Sequence, residues 1–395
     1  MAGIVVTAVG MVAWVHGPDP DPWRWFPGSA PAEGGNLVIT RGGRYSGHWH
    51  SDDPDRAAVT VRTTQPVELV DCRLTGRGML VSAPVAGADL TVRGCTAEAD
   101  NPRRAGRAPG RFVKAYRPAS LVLEHNRLAG TAGIYVNGDA VPGTRVVVQF
   151  NDAVDIDGRH SDGHGGWRGE ADLVQFVQLD KVRDCVGCRI AWNRVTNLPG
   201  RSRVEDNINL YLSSGTPESP IVVADNLIDG AWAADPVSQG YSGGGIIVDG
   251  SKGDPAPVSA HVVIQGNTVV ATSNHGIAIA GGRAVQVLGN RVVSSGTLAD
   301  GRVVAAANVG VYVWDVYRGG PRREFGGHQV SGNAVGWVNA KGARNDGWFP
   351  DCPGTACSGN GALDGPITPV LERDEVARWE ARARTANLTI GPVAR

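Results

Sequence analysis

Four carboxylates stand in short apolar stretches that otherwise read as strands. Asp180 closes "FVQLD", Asp249 closes "GIIVD", and Glu205 and Asp206 open "EDNINLY". Two carboxyl groups about 6.5–9.5 Å apart can cleave a glycosidic bond, one protonating the leaving oxygen while the other activates water. Asp180 and Asp249 are the first candidates for that pair, and Glu205 or Asp206 can supply or replace one partner. A second set joins Lys114 in "FVKAY" to Tyr135 in "GIYVN", with Asn137 and Asp180 nearby. β-Elimination beside a uronate needs a base, an acid and groups that neutralise the substrate carboxylate, and Lys and Tyr fit the base and acid roles. Each set has a bland counterpart, since strand-end carboxylates and exposed lysines are most often merely solvated.

Which of these groups can meet depends on the elements that carry them. An apolar, alternating frame recurs along the chain and ends at Cys72, Cys95, Asn126, Asn151, Asn193, Asn226, Asn267, Asn290 and Asn333. The closest pair of anchors is 23 residues apart, the length of one coil made of three short strands. Coils of a right-handed parallel β-helix stack their strands at about 4.8 Å. Asparagines in one column can then bond each other and the neighbouring backbone, so the column is structural. Cys72 and Cys95 share it, with Cα atoms expected about 5 Å apart, within disulfide reach.

A second strand follows each anchor, as in "GMLVS", "FVKAY", "GIYVN", "FVQLD", "NLYLS", "GIIVD", "GIAIA" and "GVYVW". Alternation turns its second and fourth residues inward and the others outward. The middle outward column then reads Leu80, Lys114, Tyr135, Gln178, Tyr211, Ile247, Ala278 and Tyr312. The last column reads Ser82, Tyr116, Asn137, Asp180, Ser213, Asp249, Ala280 and Trp314, and Phe176 and Asn209 fall in the first. In this register Asp180 and Asp249 lie two coils apart, with about 10 Å between their Cα atoms. Rings among amides and carboxylates suit sugars, the rings stacking and the polar groups bonding hydroxyls. Tyr211, Tyr312, Trp314, Phe176, Gln178, Asn137 and Asn209 are accordingly the candidate substrate-binding residues. Long insertions after Asn151, Asn193, Asn226 and Asn290 would wall this face into a groove.

The expected fold is all-β: one right-handed parallel β-helix of about nine or more coils over residues 36–340. Residues 1–35 form an N-terminal arm that is a signal or anchor remnant or a buried first element. Residues 341–395 form a Gly/Pro-rich loop and a helix starting at Thr368 and Pro369, expected to cap the open end. The net charge of −1 gives no general attraction to nucleic acid, and no segment beyond the apolar N-terminus could span a bilayer. Six cysteines suit disulfides in a secreted or periplasmic protein, with buried thiols as the alternative. A zinc site from Cys185, Cys188, Cys352 and Cys357 is the weaker option. No cofactor is required. "DIDGRHSDGHGG" carries a partial calcium-loop pattern without its closing Glu, and a hydrophilic Gly-rich loop explains the same residues. His48 and His50 alternate near the N-terminus without a partner, and the register turns His275 inward or into a turn. Oligomeric state is not written in the sequence.

The anchored coils and the G-I-x-V strands resemble the pectate-lyase-like superfamily of right-handed parallel β-helices, over roughly residues 36–340. "VEDNINLYLSSG" and "YSGGGIIVDG" are similar to stretches of bacterial β-helix repeat proteins. The resemblance implies a polysaccharide or oligosaccharide partner and three kinds of role. They are glycoside hydrolysis, which is slightly favoured, polysaccharide lysis or uronan epimerisation, and non-catalytic glycan binding at a surface. In one group of alginate and dermatan lyases an arginine follows the lysine by one coil; here Tyr135 stands in its place.

Overall fold

The computed structural model describes residues 34–393 apart from 242, 252–257 and 319–323. The apolar N-terminal stretch lies outside the described residues. Among the described residues, apart from the antiparallel hairpin of Arg159–Ser161 and Trp167–Ala171 and the last strand, every third strand joins the same sheet, giving parallel sheets of eleven, ten and eleven strands. The first sheet runs from Leu37–Ile39 to Gly347–Trp348, the second from Gly43–Tyr45 to Gln329–Ser331 and the third from His48–Ser51 to Gly361–Ala362. The chain thus climbs one strand per sheet per coil, which is a parallel β-helix, and the usual hand of parallel crossovers makes it right-handed.

Alternation explains the core. In the second sheet Leu90, Leu121 and Val146 stack in register, as do Val92, Leu123 and Val148, and all six are fully buried. Each coil covers its neighbour's apolar edge, so one continuous core runs the length of the solenoid.

At the corner between the second and third sheets the anchors form a ladder. The Asn126 backbone N–H and Nδ2 both donate to Asn151 Oδ1, at 3.0 Å each. The pattern repeats through Asn193, Asn226, Asn267, Asn290 and Asn333 and ends on Asn360, one rung beyond the repeats read in the sequence. Every anchor follows a residue in the left-handed region, among them His125, Phe150, Trp192 and Asp225, with φ between 52° and 58°. Gly266, Gly289 and Gly332 fill the same place further on, where glycine adopts that conformation without strain. Cys72 and Cys95 do stand in the column, but as free buried thiols and not as a disulfide. Cys95 Sγ accepts the Cys72 N–H at 3.2 Å, so sulfur replaces the amide oxygen as the rung's acceptor. Cys185 pairs with Cys188 and Cys352 with Cys357, which removes the four-cysteine zinc option and suits an oxidising compartment.

Residues 347–362 close the C-terminal end. Phe349, Cys352 and Cys357 pack on the core, and Val330 N–H donates to Ala356 O. The helix Pro369–Thr385 begins at Thr368, whose side chain accepts the Leu371 N–H. It lies along the flank of the third sheet and not over the open end. Glu375 pairs with Arg291, Trp379 Nε1 donates to Asp225 O at 2.7 Å, and Glu372 accepts the Ser295 N–H at 2.6 Å. The flank offers the helix those buried polar partners and a hydrophobic strip at Val270, Val293 and Ile367. No helix among the described residues is long and apolar enough to cross a membrane.

Candidate functional site

Most of the candidate residues stand on the outer face of the first sheet, in seven neighbouring strands from Val113–Tyr116 to Val309–Val313. Pairing fixes their columns. Lys114, Tyr135, Gln178, Asn209, Ile247, Ala278 and Tyr312 follow one another in one row, and Asn137, Asp180, Tyr211 and Asp249 in the next. Several details differ from the sequence register. Tyr211 lies between Asp180 and Asp249 in the second row, and Asn209 takes the middle row. The reason is the turn: Leu212, like Lys181, is left-handed, so the strand ends at Tyr211 and Ser213 is buried in the turn. Beside Lys114 stands Ser82, while Leu80 is in the core.

At the entry to this face one strand bulges and its neighbours turn an extra residue inward. The register between Gly133–Asn137 and Gln175–Asp180 shifts at Phe176, which is left unpaired and fully buried. Phe176 is therefore a core residue and does not face the groove. Asn207 is turned inward at the equivalent place, its amide donating to the Gly230 and Gly244 carbonyls. A side chain on Gly276 or Gly310 would meet Val292 or Val335 of the core. Two consecutive inward positions leave the residue before them facing outward, and bulges of this kind re-aim side chains beside functional sites. Gln175, Asp206 and His275 are aimed into the groove in this way. Gly244 shares their row, and a Cβ there would lie 2.2 Å from His275 Nε2, so only glycine lets the imidazole reach across.

Around Asn209 the carboxylates converge. Asn209 Nδ2 stands 3.5 Å from Asp206 Oδ2 and equally far from Asp249 Oδ2, so the two oxygens are separated by no more than twice that distance. Tyr317 donates its hydroxyl to Asp249 Oδ1 at 2.5 Å. Glu205 accepts from Gln175 Nε2 at 3.1 Å and from the Tyr241 hydroxyl at 3.2 Å. Burial, then the Glu205 and Asp249 charges, push the Asp206 carboxyl well above its usual range. Burial also raises Glu205. His275 Nε2 lies 3.4 Å from Asp206 Oδ1, and burial lowers the imidazole to about 3. The two shifts run in the same sense, each favouring the uncharged form of its group. Tyr312 packs edge-on against that ring, with centroids 5.6 Å apart, and Trp314 and Trp348 continue the aromatic surface at 5.1 Å from each other.

A second cluster lies on the N-terminal side. Tyr135 donates to Asp180 Oδ2, and Asn137 Nδ2 approaches the same oxygen at 3.2 Å. Lys114 Nζ is 5.7 Å from the centre of the Tyr135 ring. Burial and the Asp180 carboxylate raise the Tyr135 phenol. Four buried polar atoms of the two clusters have no hydrogen-bond partner: Gln175 Oε1, Asp180 Oδ1, Asn209 Oδ1 and His275 Nε2. Buried polar groups are almost always paired, so this concentration on one face marks a place that a polar ligand would complete.

The structure thus brings Asp206, Glu205 and Asp249 together and sets Asp180, two strands from Asp249, with Tyr135 and Asn137. Gln175, Tyr241, His275 and Tyr317 belong to the site but were not among the sequence candidates. A signal existed for two of them: Gln175 and His275 each precede the position that glycine fills in Gly133, Gly245, Gly276 and Gly310. The tyrosines come from insertions and carry none. His48 and His50 lie on the third sheet, away from this face. The "DIDGRHSDGHGG" stretch belongs to an antiparallel hairpin, where Asp162 accepts the His164 and Gly166 N–H groups and Asp157 holds Arg159. Among the described residues no three His, Cys, Asp or Glu side chains converge as a metal site.

The sequence matches no described protein family and no curated protein. Among solved structures it is similar to the Dettilon tailspike protein, at TM-score 0.45 and 14% identity, covering 80% of this chain and 60% of that one. Tailspike protein 3 of bacteriophage CBA120 follows at 0.33 and 10%, covering 84% and 54%. The A-module of an Azotobacter vinelandii mannuronan C-5 epimerase gives 0.24 and 12%, covering 84% and 90%. The chain spans a little over half the length of each tailspike. Its fold is assigned from its own sheets and ladder.

Proposed function

We propose that the protein hydrolyses glycosidic bonds of an extracellular polysaccharide, with Asp206 as proton donor and Asp249 as the ionised carboxylate opposite it. The observation that carries this reading is the pairing of the two acids across Asn209 in unlike environments. Burial and the Glu205 and Asp249 charges raise the Asp206 carboxyl well above its usual range, the direction a general acid needs. Asp249 instead accepts the Tyr317 hydroxyl and the Gly250 N–H. A sugar ring seated over Tyr211 or Tyr312 would offer hydroxyls to the unpaired Gln175 and Asn209 oxygens. Elimination is the poorer fit, because the Tyr135 proton is already given to Asp180 and is held more tightly than in a free phenol, which makes it a poor acid for a leaving oxygen.

The test is a panel of neutral and uronate polysaccharides followed by two readouts, reducing-end release and absorbance near 235 nm. Hydrolysis predicts new reducing ends without absorbance. Rising absorbance would move the chemistry to Lys114 and Tyr135 as an eliminating pair. Binding with neither readout would leave a glycan-binding protein.

A further inference from the structure

Beside the second cluster, toward the N-terminal coils, opens a pocket of about 260 Å³. Its charged lining is Arg77, Arg107, Arg111 and Lys114 against the single carboxylate of Asp172. Two of these cations already have partners. Arg77 reaches Asp52 at 3.2 Å and Arg107 reaches Asp55 at 3.1 Å. Asp172 is engaged by His160 at 2.9 Å.

The other two cations are placed differently. Neither Arg111 nor Lys114 has a carboxylate within ion-pair distance among the described residues. Arg111 donates one hydrogen bond, to Ala132 O at 3.1 Å, and its guanidinium stands 4.9 Å from the centre of the Tyr135 ring. Burial lowers it to about 10 even though Tyr135 and Asp172 pull the other way, so the charge is largely desolvated. Such a charge is costly to hold, and an anion arriving in the pocket would remove that cost. A guanidinium offers a planar fork of donors suited to carboxylate or sulfate, and the lysine adds a point charge.

We infer that this pocket binds an anionic substituent of the glycan, a carboxylate or a sulfate, through Arg111 and Lys114. The inference rests on the polysaccharide reading above and narrows it to acidic polymers. Lys114 lies three strands from Asn209 along the row, about 14 Å at the usual strand spacing. The anion is therefore read several atoms away from the bond that is cut, and Tyr135, Asn137 and Asp180 lie between the two places. Recognition at that distance sets which polymer is held and in which register.

The experiment uses the full chain carrying Asp249→Asn, so that binding is measured without turnover. Calorimetric titrations compare a uronate oligosaccharide, its carboxyl-reduced counterpart and a sulfated oligosaccharide. The expected result is tighter binding of one or both acidic ligands than of the neutral one. Adding Arg111→Gln or Lys114→Gln should weaken the acidic ligand about ten- to hundred-fold, as expected for a lost charge-assisted bond, and leave the neutral ligand unchanged. The stronger acidic ligand identifies the group as carboxylate or sulfate. Lys114 is exposed, so its variant keeps the test informative if the arginine variant misfolds. Equal affinity for acidic and neutral ligands, or acidic affinity untouched by both variants, would overturn the inference and leave the carbohydrate reading standing. Acidic binding lost in the variants, from a native protein that cleaves nothing, would support the pocket while removing hydrolysis.

Discussion

Replacing Asn193 by alanine breaks the ladder at its centre, and the structure sets the size of the effect. Asn193 Oδ1 accepts the Asn151 N–H at 3.1 Å and Asn151 Nδ2 at 2.9 Å, while its own Nδ2 donates to Val148 O at 3.0 Å and Asn226 Oδ1 at 2.9 Å. Asn151 Nδ2 keeps the Leu123 and Gln149 carbonyls, and Asn226 Oδ1 keeps the Asn193 N–H. The Asn151 N–H loses its acceptor in a fully buried turn. One orphaned donor and a small void together cost about 2–4 kcal/mol. For a chain of this length that is about 2–5 °C in melting temperature. Asn193→Cys should fall between alanine and the native protein, because Cys95 Sγ accepts a rung N–H in the same column. Asn193→Asp should be the worst, since it turns an oxygen toward two acceptors. Urea denaturation at constant slope, with thermal melts alongside, measures the order. An alanine variant as stable as the native chain, or an aspartate variant better than alanine, would refute the ladder as a source of stability.

Three further outcomes follow from the same geometry. Tyr317→Phe removes a donor from Asp249 and should lower kcat/KM about ten-fold, as for a lost hydrogen bond to a charged group; an unchanged kcat/KM would separate Asp249 from the chemistry. Gly244→Ala forces the His275 ring aside and should cost about 1–3 kcal/mol, with a loss of turnover; unchanged melting and turnover would contradict the close approach. Burial pushes Glu372 up to about 7 from 4.5, so the folded state keeps a proton that the unfolded chain releases. Its contribution is then present below about pH 4.5 and is lost as pH rises toward 7. Glu372→Gln should flatten that slope in melts across this range, and an unaltered slope would place the effect elsewhere.

The ladder was legible because it repeats: nine anchors of two residue types at one place leave little else for them to do. The alternating strands and the groove face were legible for the same reason. The bulge at Phe176 and the inward Asn207 were not, since they break the alternation that sorts inward from outward residues and show only in the pairing and hydrogen bonds of the folded chain. That break explains both the misplacing of Phe176 and the missed Gln175 and His275. Tyr211 slipped by two positions because "NLYLS" imitates the strand motif, while Leu212 turns left-handed and ends the strand early. Tyr241 and Tyr317 come from insertions, where no periodicity exists to place them.

The most direct test of the central claim compares Asp206→Asn, Asp249→Asn and Asp180→Asn with the native chain on one cleaved polysaccharide, measuring turnover and oligosaccharide affinity together. The account predicts that Asp206→Asn and Asp249→Asn lose turnover at least about a hundred-fold, the lower end of what a positioned acid or base contributes, while affinity is retained. Asp180→Asn should keep turnover and lose affinity. Full turnover in either of the first two variants, or turnover lost only in Asp180→Asn, would contradict the assignment of the acid pair.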